Sequence, residues 1–151
     1  MKTQTVIFDL DGTLALIEER RQLATLPNGK MNWKIFFAPE NISLDQPNPP
    51  VIKTFQALKA AGFRVGVFSG RDAISRKESE AWLKQHGIEV DFFRMRPQGT
   101  FTPDQILKKK WLDEELQEGH DIMCVFDDRD KVVKMWRENG ITCMQVAPGE
   151  F

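Results

Sequence analysis

The chain has 151 residues, and its 21 Lys plus Arg nearly balance its 22 Asp plus Glu, which leaves a net charge of −1. The hydrophobic fraction is 41% and the charged fraction is 28%, values that fit one folded domain and argue against disorder. The balance also excludes a protein that coats nucleic acid through bulk positive charge. We therefore expect a single domain over residues 1–151.

No apolar stretch approaches the ~20 residues that cross a bilayer, and the N-terminus lacks a signal-peptide pattern. These observations predict a cytoplasmic protein without a membrane partner. Cys124 and Cys143 are the two cysteines, and each lies in an apolar run outside any CxxC pair. We expect buried free thiols rather than zinc ligands or a disulfide.

The hydrophobic pattern alternates between strand and helix signals along the chain. In chain order, we expect a strand at 6–8, a helix that contains Val51, Phe55 and Leu58, a strand at 63–68, a helix at 73–86, a strand at 90–93, a helix begun by Pro103, a strand at 122–126, a helix ended by Asn139-Gly140, and a strand at 141–146. This alternation is typical of a doubly wound α/β fold with a parallel sheet.

The segment 15–50 interrupts the alternation between the first strand and the first clear helix. A connection of this length is usually either a functional lid or a disordered linker. The aromatic residues of 33–37 favour an ordered segment, because a linker seldom carries them. We expect residues 15–50 to form a small cap insertion after the first strand.

The sharpest chemical signal is the string Asp9-Leu10-Asp11-Gly12-Thr13 at the end of the first strand. Two carboxylates two residues apart can share a pocket in which one is a nucleophile and the other gives and takes a proton. A cation that prefers oxygen ligands, such as Mg²⁺, would relieve their repulsion. A loop in which Asp and Gly only shape a turn is the weaker alternative.

Two adjacent acids, Asp127-Asp128, follow the fourth strand in a similar way. Such acids are costly after a buried strand unless they are solvated or bound to a metal. They also suit the N-terminus of the next helix, where caps and acidic side chains are favoured. Both interpretations can hold together, so the metal site and the cap remain open.

The second strand ends at Ser69-Gly70-Arg71. A hydroxyl and backbone N–H groups beside a helix start can hold phosphate oxygens, and Arg71 adds a permanently charged planar fork. An ordinary helix cap by Ser69 or Asp72 is the alternative. Ser69 has no histidine base with suitable spacing, so a Ser-His-acid triad is not expected.

Asp104 and Lys108 lie four residues apart on a predicted helix, a spacing that permits an ion pair. Lys108 belongs to the run 108–110, and most such runs form a solvated face. The alternative is that one lysine of the run enters the site and neutralises a phosphoryl oxygen.

Taken together, DLDGT, FSGR, a helix-borne Lys and FDDRD resemble the four motifs of the haloacid dehalogenase superfamily of phosphotransferases. The stretch DDRDKVVKMWRENGITCMQVAPGEF is similar to the end of the 3′-phosphatase domain of phage-type polynucleotide kinase-phosphatases. This resemblance implies a three-layer Rossmannoid α/β fold and a Mg²⁺-dependent phosphatase.

The resemblance also implies a role for each matched residue. Asp9 would attack phosphorus and form an aspartyl-phosphate, and Asp11 would protonate the leaving hydroxyl and then activate water. Mg²⁺ would be bound by Asp9, by the backbone carbonyl of Asp11, and by Asp127 or Asp128. Lys108 would hold the phosphoryl group, oriented by Asp104. The implied phosphate- and substrate-binding set is Thr13, Arg20, Ser69, Gly70, Arg71, Arg96 and Asp104.

The implied substrate is a phosphorylated nucleic-acid end, and a nucleotidase or other small-molecule phosphatase of the superfamily is the alternative. A non-catalytic binding module of the same fold is a second alternative. The sequence contains no GxxxxGK[ST] phosphate-binding loop, so a 5′-kinase or a ligase would be a separate partner. The oligomeric state remains open.

Overall fold

The structure, a computed structural model, describes residues 2–151. The strands are β1 (Gln4–Phe8), β2 (Ala15–Leu16), β3 (Gln46–Pro47), β4 (Arg64–Asp72), β5 (Phe93–Arg96), β6 (Asp121–Asp127) and β7 (Cys143–Gln145). The helices are α1 (Glu18–Ala24), α2 (Trp33–Phe36), α3 (Pro49–Ala60), α4 (Arg76–Gln85), α5 (Asp104–Gln117) and α6 (Asp130–Glu138). Two segments, Pro39–Leu44 and Ala73–Ser75, are 3₁₀ helices.

Five strands form one parallel sheet in the order β5-β4-β1-β6-β7. Helices cover both of its faces, because β1 is buried on both sides and its successive side chains join two different hydrophobic clusters. Val6 and Phe8 pack in one hydrophobic cluster with Phe55 of α3, and Ile7 packs in a second cluster with Trp111 of α5. The predicted three-layer α/β fold with a parallel sheet is therefore confirmed.

Three strands differ in extent from the sequence expectation. The strand expected at 90–93 is β5 at Phe93–Arg96, because Asp91 bonds to Val65 partly through its side chain and the regular ladder starts only at Phe93. The strand expected at 141–146 shortens to β7. The strand expected at 63–68 extends as β4 to Asp72, with an irregular register between Ser69 and Asp72.

The insertion at 15–50 is ordered and is closed at its base. β2 and β3 pair antiparallel, with Ala15 opposite Pro47. Asn48 donates from its backbone to the Leu14 carbonyl and from its side-chain amide to the Thr13 carbonyl. The two ends of the insertion are thus joined beside the loop that follows β1. Among residues 2–151, no helix is both long and apolar enough to cross a bilayer.

Candidate active site

The loops that carry the predicted site residues meet at the carboxyl end of the parallel sheet. β1 lies between β4 and β6, and Asp9 follows β1 directly while Asp127 ends β6. Ser69, Gly70 and Arg71 lie near the end of β4, where its pairing with β5 is irregular. The central position of β1 places Asp9 between the other two loops.

The loop after β1 is a tight turn. The carbonyl of Leu10 accepts the backbone N–H groups of Thr13 and Leu14. Gly12 has a φ of 82°, in the left-handed region that favours glycine. A Cβ at this position would also overlap the carboxylate of Asp128. Glycine is therefore required here both by the backbone conformation and by the close approach of an acid.

Lys108 lies among three buried carboxylates, which we call the acidic cluster: Asp9, Asp127 and Asp128. Lys108 Nζ donates to Asp9 Oδ1 at 2.8 Å and to Asp127 Oδ2 at 3.0 Å. Each acid offers an oxygen within 4.8 Å of the others, and all four side chains are buried. Three carboxylates thus surround one ammonium, which leaves two negative charges unmatched within this group of described residues.

The unmatched charge affects the acidity of the cluster. Burial raises the pKa of Asp9 well above its usual value, and repulsion from Asp127 adds to the increase although Lys108 opposes it. Burial also raises the pKa of Asp128. Burial alone would lower the pKa of Lys108, but Asp127 and Asp9 outweigh it and raise that pKa. Lys108 is therefore protonated at neutral pH.

A divalent cation fits the acidic cluster. Its donors are all carboxylate oxygens, the ligands that hard cations such as Mg²⁺ prefer. A charge of +2 would match the two negative charges that Lys108 leaves. Asp9, Asp127 and Asp128 are therefore candidate ligands, and the backbone of Asp11, also expected to contribute, belongs to the adjoining turn.

Asp11 belongs to a second group, the arginine cluster, which consists of Asp11, Asp45, Arg20 and Arg71. Asp11 Oδ1 accepts from Arg20 Nη2 at 2.7 Å and from Arg71 Nε at 2.8 Å. Asp45 accepts from Arg20 Nε at 3.0 Å and from Arg71 Nη2 at 2.6 Å. Two carboxylates face two guanidinium groups, so the charges of this cluster balance. The cluster therefore has no excess negative charge to attract a cation.

The arginines determine the charge state of Asp11. Burial raises the pKa of this carboxyl, but the positive charges of Arg20 and Arg71 outweigh burial and lower the pKa to about 2. The Asp11 side chain is 21% exposed, whereas those of Arg20 and Arg71 are fully enclosed. Asp11 is thus an ionised carboxylate that reaches toward solvent from a buried cationic support.

Arg20 and Arg71 were expected to contact substrate or phosphate directly. In the structure every nitrogen of both guanidinium groups is bonded within the protein: the remaining Arg20 nitrogen donates to the Phe36 carbonyl and that of Arg71 to Ser79 Oγ. The Phe36 ring also lies 4.4 Å from the Arg20 guanidinium carbon. The geometry supports positioning of Asp11 by these arginines, and their direct contact with substrate stays a prediction.

The structure does not form the expected ion pair between Asp104 and Lys108. Asp104 instead accepts from Arg96 Nη2 and, at 2.9 Å, from Arg129 Nη1. The two guanidinium groups occupy both carboxylate oxygens, while Lys108 points inward to the acidic cluster. Asp104 acts on Lys108 only through space, because its charge contributes to the raised pKa of Lys108.

Arg96 connects Asp104 to the loop that follows β4. Its Nε donates to the Gly70 carbonyl at 2.8 Å and its Nη1 donates to the Thr102 carbonyl. A Cβ at Gly70 would lie 2.6 Å from Asp104 Oδ1, so this glycine leaves the space that the Asp104 carboxylate occupies. Arg96 and Asp104 therefore both contact the candidate phosphate loop at Gly70.

The lysines of the run 108–110 point to different sides of α5, as the helix geometry requires. Lys108 is 2% exposed and enters the acidic cluster. Lys109 is exposed and pairs with Asp113 one turn later on the outer face of α5. Lys108 is therefore the lysine of the run that lies in the acidic cluster, although the Asp104 contact expected from its spacing is not formed.

The two hydroxyl groups of the predicted set are both buried. Thr13 Oγ1 lies 3.4 Å from Asp9 Oδ2 and 3.4 Å from Asp128 Oδ1, so it bridges two acids of the acidic cluster. Ser69 Oγ accepts the backbone N–H of Arg71 at 3.1 Å, the geometry of a local turn. The structure brings both beside the candidate site, without showing what they would bind.

Sequence reasoning missed three residues of this constellation. Asp45 lies in the insertion without a recognisable motif, and Trp82 Nε1 donates to its carbonyl. Arg129 lies inside FDDRD, so the motif itself marked it. Trp136 Nε1 donates to Asp127 Oδ2 at 3.3 Å, and no motif in the sequence marks this tryptophan of α6.

Comparison with known proteins agrees with this geometry. Residues 3–151 match the family model described as the phosphatase domain of polynucleotide kinase PNKP. A chain in a Pnkp1/Rnl/Hen1 complex superposes with a TM-score of 0.82 at 32% identity, over 99% of this chain and 48% of that chain.

Two further relatives differ in how far they extend beyond this chain. A protein of Autographa californica nuclear polyhedrosis virus, named as a bifunctional polynucleotide kinase/RNA ligase, is 27% identical over 89% of this chain but only 18% of its own length. A haloacid dehalogenase-like hydrolase of Streptococcus pneumoniae has a TM-score of 0.70 at 14% identity, over 95% of this chain and 84% of its own, and shares the fold.

The chain thus spans less than half of the first two relatives. The family match, in contrast, covers nearly all of the described residues. The chain belongs to the family of polynucleotide kinase PNKP phosphatase domains, which has the haloacid dehalogenase-like fold.

Proposed function

We propose that this chain is a Mg²⁺-dependent phosphatase that removes 3′-phosphates from polynucleotide ends through an aspartyl-phosphate. The observation that carries the proposal is the pairing of two clusters at one sheet edge. The acidic cluster lacks two positive charges and contains Asp9, while the adjacent arginine cluster is balanced and presents Asp11. A nucleophile and an acid–base group thus lie two residues apart in different electrostatic environments.

Asp9 is the proposed nucleophile. Its Oδ1 is held by Lys108 and its Oδ2 lies near Thr13, so its carboxylate is oriented on both sides. The positive charge of Lys108 favours the ionised carboxylate, the form that attacks phosphorus. The same positive charge stabilises negative charge on a phosphoryl group beside Asp9, and such stabilisation is the main catalytic contribution in phosphoryl transfer.

Mg²⁺ would be held by Asp9, by Asp127 or Asp128, and by the backbone carbonyl of Asp11, and would supply positive charge to the phosphoryl oxygens. Trp136 Nε1 donates to Asp127 Oδ2, the same oxygen that accepts from Lys108.

Asp11 is the proposed general acid and base. With a pKa of about 2 it is ionised at neutral pH, ready to take a proton from the water that hydrolyses the aspartyl-phosphate. For the first step it must carry a proton to the leaving hydroxyl. A phosphate dianion beside Asp11 would raise its pKa, because a nearby like charge disfavours ionisation. Substrate binding would therefore counteract the lowering of the Asp11 pKa by Arg20 and Arg71.

A polynucleotide substrate is supported by family membership and by two relatives, one named as a bifunctional polynucleotide kinase/RNA ligase and one a chain of a Pnkp1/Rnl/Hen1 complex. The choice of the 3′ end rests on the motif resemblance described above. The kinase or ligase step would be carried by sequence outside these 151 residues or by a partner chain. We further propose that residues 15–50 act as the cap of one phosphatase domain, because Arg20 and Asp45 reach from this segment to Asp11 and Arg71.

The decisive experiment compares kcat/KM for a 3′-phosphorylated oligonucleotide with kcat/KM for free nucleoside monophosphates in the presence of Mg²⁺. An oligonucleotide of the same sequence with a 5′-phosphate serves as the control for end specificity. We expect the 3′-phosphorylated oligonucleotide to be the best substrate. A preference for monophosphates would support a nucleotidase, and absence of turnover with all three would support a binding module.

A further inference from the structure

Two large apolar side chains beside the candidate phosphate loop are exposed to water. Phe101 is 78% exposed and Ile74 is 48% exposed. Single exposed apolar residues are common on protein surfaces. These two differ because they lie on neighbouring loops at the carboxyl end of β4 and β5, the same end of the sheet as the candidate active site.

One carboxylate connects the two loops. Asp72 Oδ1 accepts the backbone N–H of Ile74 at 2.8 Å, and Asp72 Oδ2 accepts the backbone N–H of Gly99 at 2.9 Å. Asp72 follows Arg71 directly. The loop of Ile74 and the loop of Phe101 are therefore held together one residue away from the arginine that supports Asp11.

The loop of Phe101 is also fixed on its other side. The Thr102 carbonyl accepts from Arg96 Nη1, and Arg96 Nε donates to the Gly70 carbonyl at 2.8 Å. Within the loop, Thr100 donates to the Pro97 carbonyl from its hydroxyl at 2.8 Å. Phe101 thus lies between two residues that are hydrogen-bonded to their surroundings.

We propose that Phe101 and Ile74 form an apolar platform on which the base of the nucleotide that carries the 3′-phosphate stacks. The proposal rests on the proposed function, since it names how the same site recognises its substrate. A terminal nucleotide places its base one sugar away from its phosphate, and the platform adjoins Gly70 and Arg71 of the candidate phosphate loop. Aromatic stacking suits an end-processing enzyme because every base presents a π-face, whatever the sequence.

The test uses Phe101→Ala, Phe101→Trp and a matched control, Leu116→Ala. Leu116 is also exposed, at 47%, but lies near the opposite end of α5 from Asp104. Each protein is assayed on a 3′-phosphorylated oligonucleotide and on the same oligonucleotide with an abasic terminal sugar. We expect Phe101→Ala to raise KM for the first substrate roughly tenfold or more, with kcat and the abasic substrate little changed.

Phe101→Trp should restore KM to the wild-type value or below, because its ring stacks at least as well, and Leu116→Ala should match wild type on both substrates. Equal KM values for wild type and Phe101→Ala, or equal loss on the normal and abasic ends, would overturn the platform. Ile74→Ala should give a smaller increase in KM that is likewise limited to the substrate with a base.

The wild-type assay separates the two proposals. Turnover of the 3′-phosphorylated end by wild type supports the proposed function whatever the Phe101 variants do. Failure of wild type to hydrolyse that end would remove the proposed function and the platform together, whereas failure of Phe101→Ala to change KM would remove only the platform. A protein-docking role for the patch would give that second outcome.

Discussion

Lys108 Nζ donates to Asp9 Oδ1 at 2.8 Å, although the two residues are 99 positions apart in the chain. This contact connects α5 to the loop after β1 and places an ammonium beside the proposed nucleophile. Both groups are buried, so the attraction between them is only weakly screened by solvent.

Lys108→Met should abolish phosphatase activity and destabilise the metal-free protein. Removing one partner of a buried ion pair leaves uncompensated charge and typically costs about 3–5 kcal/mol. Because Mg²⁺ would replace part of the lost positive charge, the cation should stabilise this variant more than wild type. Urea unfolding with and without Mg²⁺ measures both effects.

The matched control is Lys109→Met, which removes an adjacent but exposed lysine paired with Asp113. An exposed pair of this spacing contributes about 0.3–0.5 kcal/mol, so stability and activity should change little. Equal destabilisation by the two substitutions would contradict the buried role of Lys108.

Asp9→Asn should lose activity by on the order of 10³-fold or more, because an amide cannot form the acyl-phosphate. The same change removes one of the negative charges of the acidic cluster. We therefore expect the metal-free variant to be at least as stable as wild type. Steady-state kinetics and the urea midpoint are measured on the same preparation, and full activity would exclude the aspartyl-phosphate.

The stability of the metal-free protein should depend on pH in two opposite ways. The folded-state pKa of Asp11 is lowered to about 2, so its contribution is present above the unfolded value near 4 and is lost as pH falls toward 2. The folded-state pKa values of Asp9 and Asp128 are raised, so these acids destabilise the fold at neutral pH and cease to do so as they bind protons.

Denaturant unfolding of the metal-free protein from pH 7 to pH 2 should therefore show stability rising at first and then falling below about pH 4. Between about pH 4 and pH 2, the free energy of unfolding of Asp11→Asn should fall by about 2 kcal/mol less than that of wild type. Asp9→Asn should reduce the initial rise in stability, because one of the two acids that cause it is removed. If Asp11→Asn loses as much stability below about pH 4 as wild type does, the attribution of that loss to Asp11 is wrong.

Asp45→Asn should lower kcat more than it raises KM, although Asp45 lies outside the acidic cluster. Asp45 holds Arg20 and Arg71, and these residues in turn hold Asp11, so loss of its charge should alter the orientation and pKa of Asp11. The pH–rate profile should therefore shift, which a purely structural loss would not cause. Asp113→Asn is the control, because that carboxylate is exposed and pairs with Lys109 on the outer side of α5.

Gly12→Ala should weaken Mg²⁺ binding, and Gly29→Ala should not. Both glycines have a φ of 82°, so alanine costs roughly 1–2 kcal/mol of backbone strain at either position. Only at Gly12 would the added Cβ overlap Asp128, whereas no atom lies within 4 Å of a Cβ at Gly29. Calorimetric titration with Mg²⁺ isolates the effect of the contact, and equal affinity in the two variants would contradict it.

The order of strands and helices could be predicted from hydrophobic periodicity, because each period reflects which face of an element is buried. Strand ends were less accurate. β5 begins at Phe93 rather than at Val90 because Asp91 satisfies the backbone of Val65 through its side chain, a contact that no local pattern contains.

Chain order and strand patterning alone indicated that Asp9, Asp11 and Asp127 would lie at one edge of the sheet, because the carboxyl ends of neighbouring parallel strands share that edge. Only the resemblance to known motifs added Lys108, which lies on a helix. The partner of each buried charge, in contrast, becomes evident only in the folded protein. Helical spacing predicted an ion pair between Asp104 and Lys108. In the structure Asp104 instead accepts hydrogen bonds from Arg96 and Arg129, which lie outside that helix. Pairing among buried charges depends on distances in three dimensions, and residues such as Asp45 reach their partners through the fold of an insertion that carries no motif.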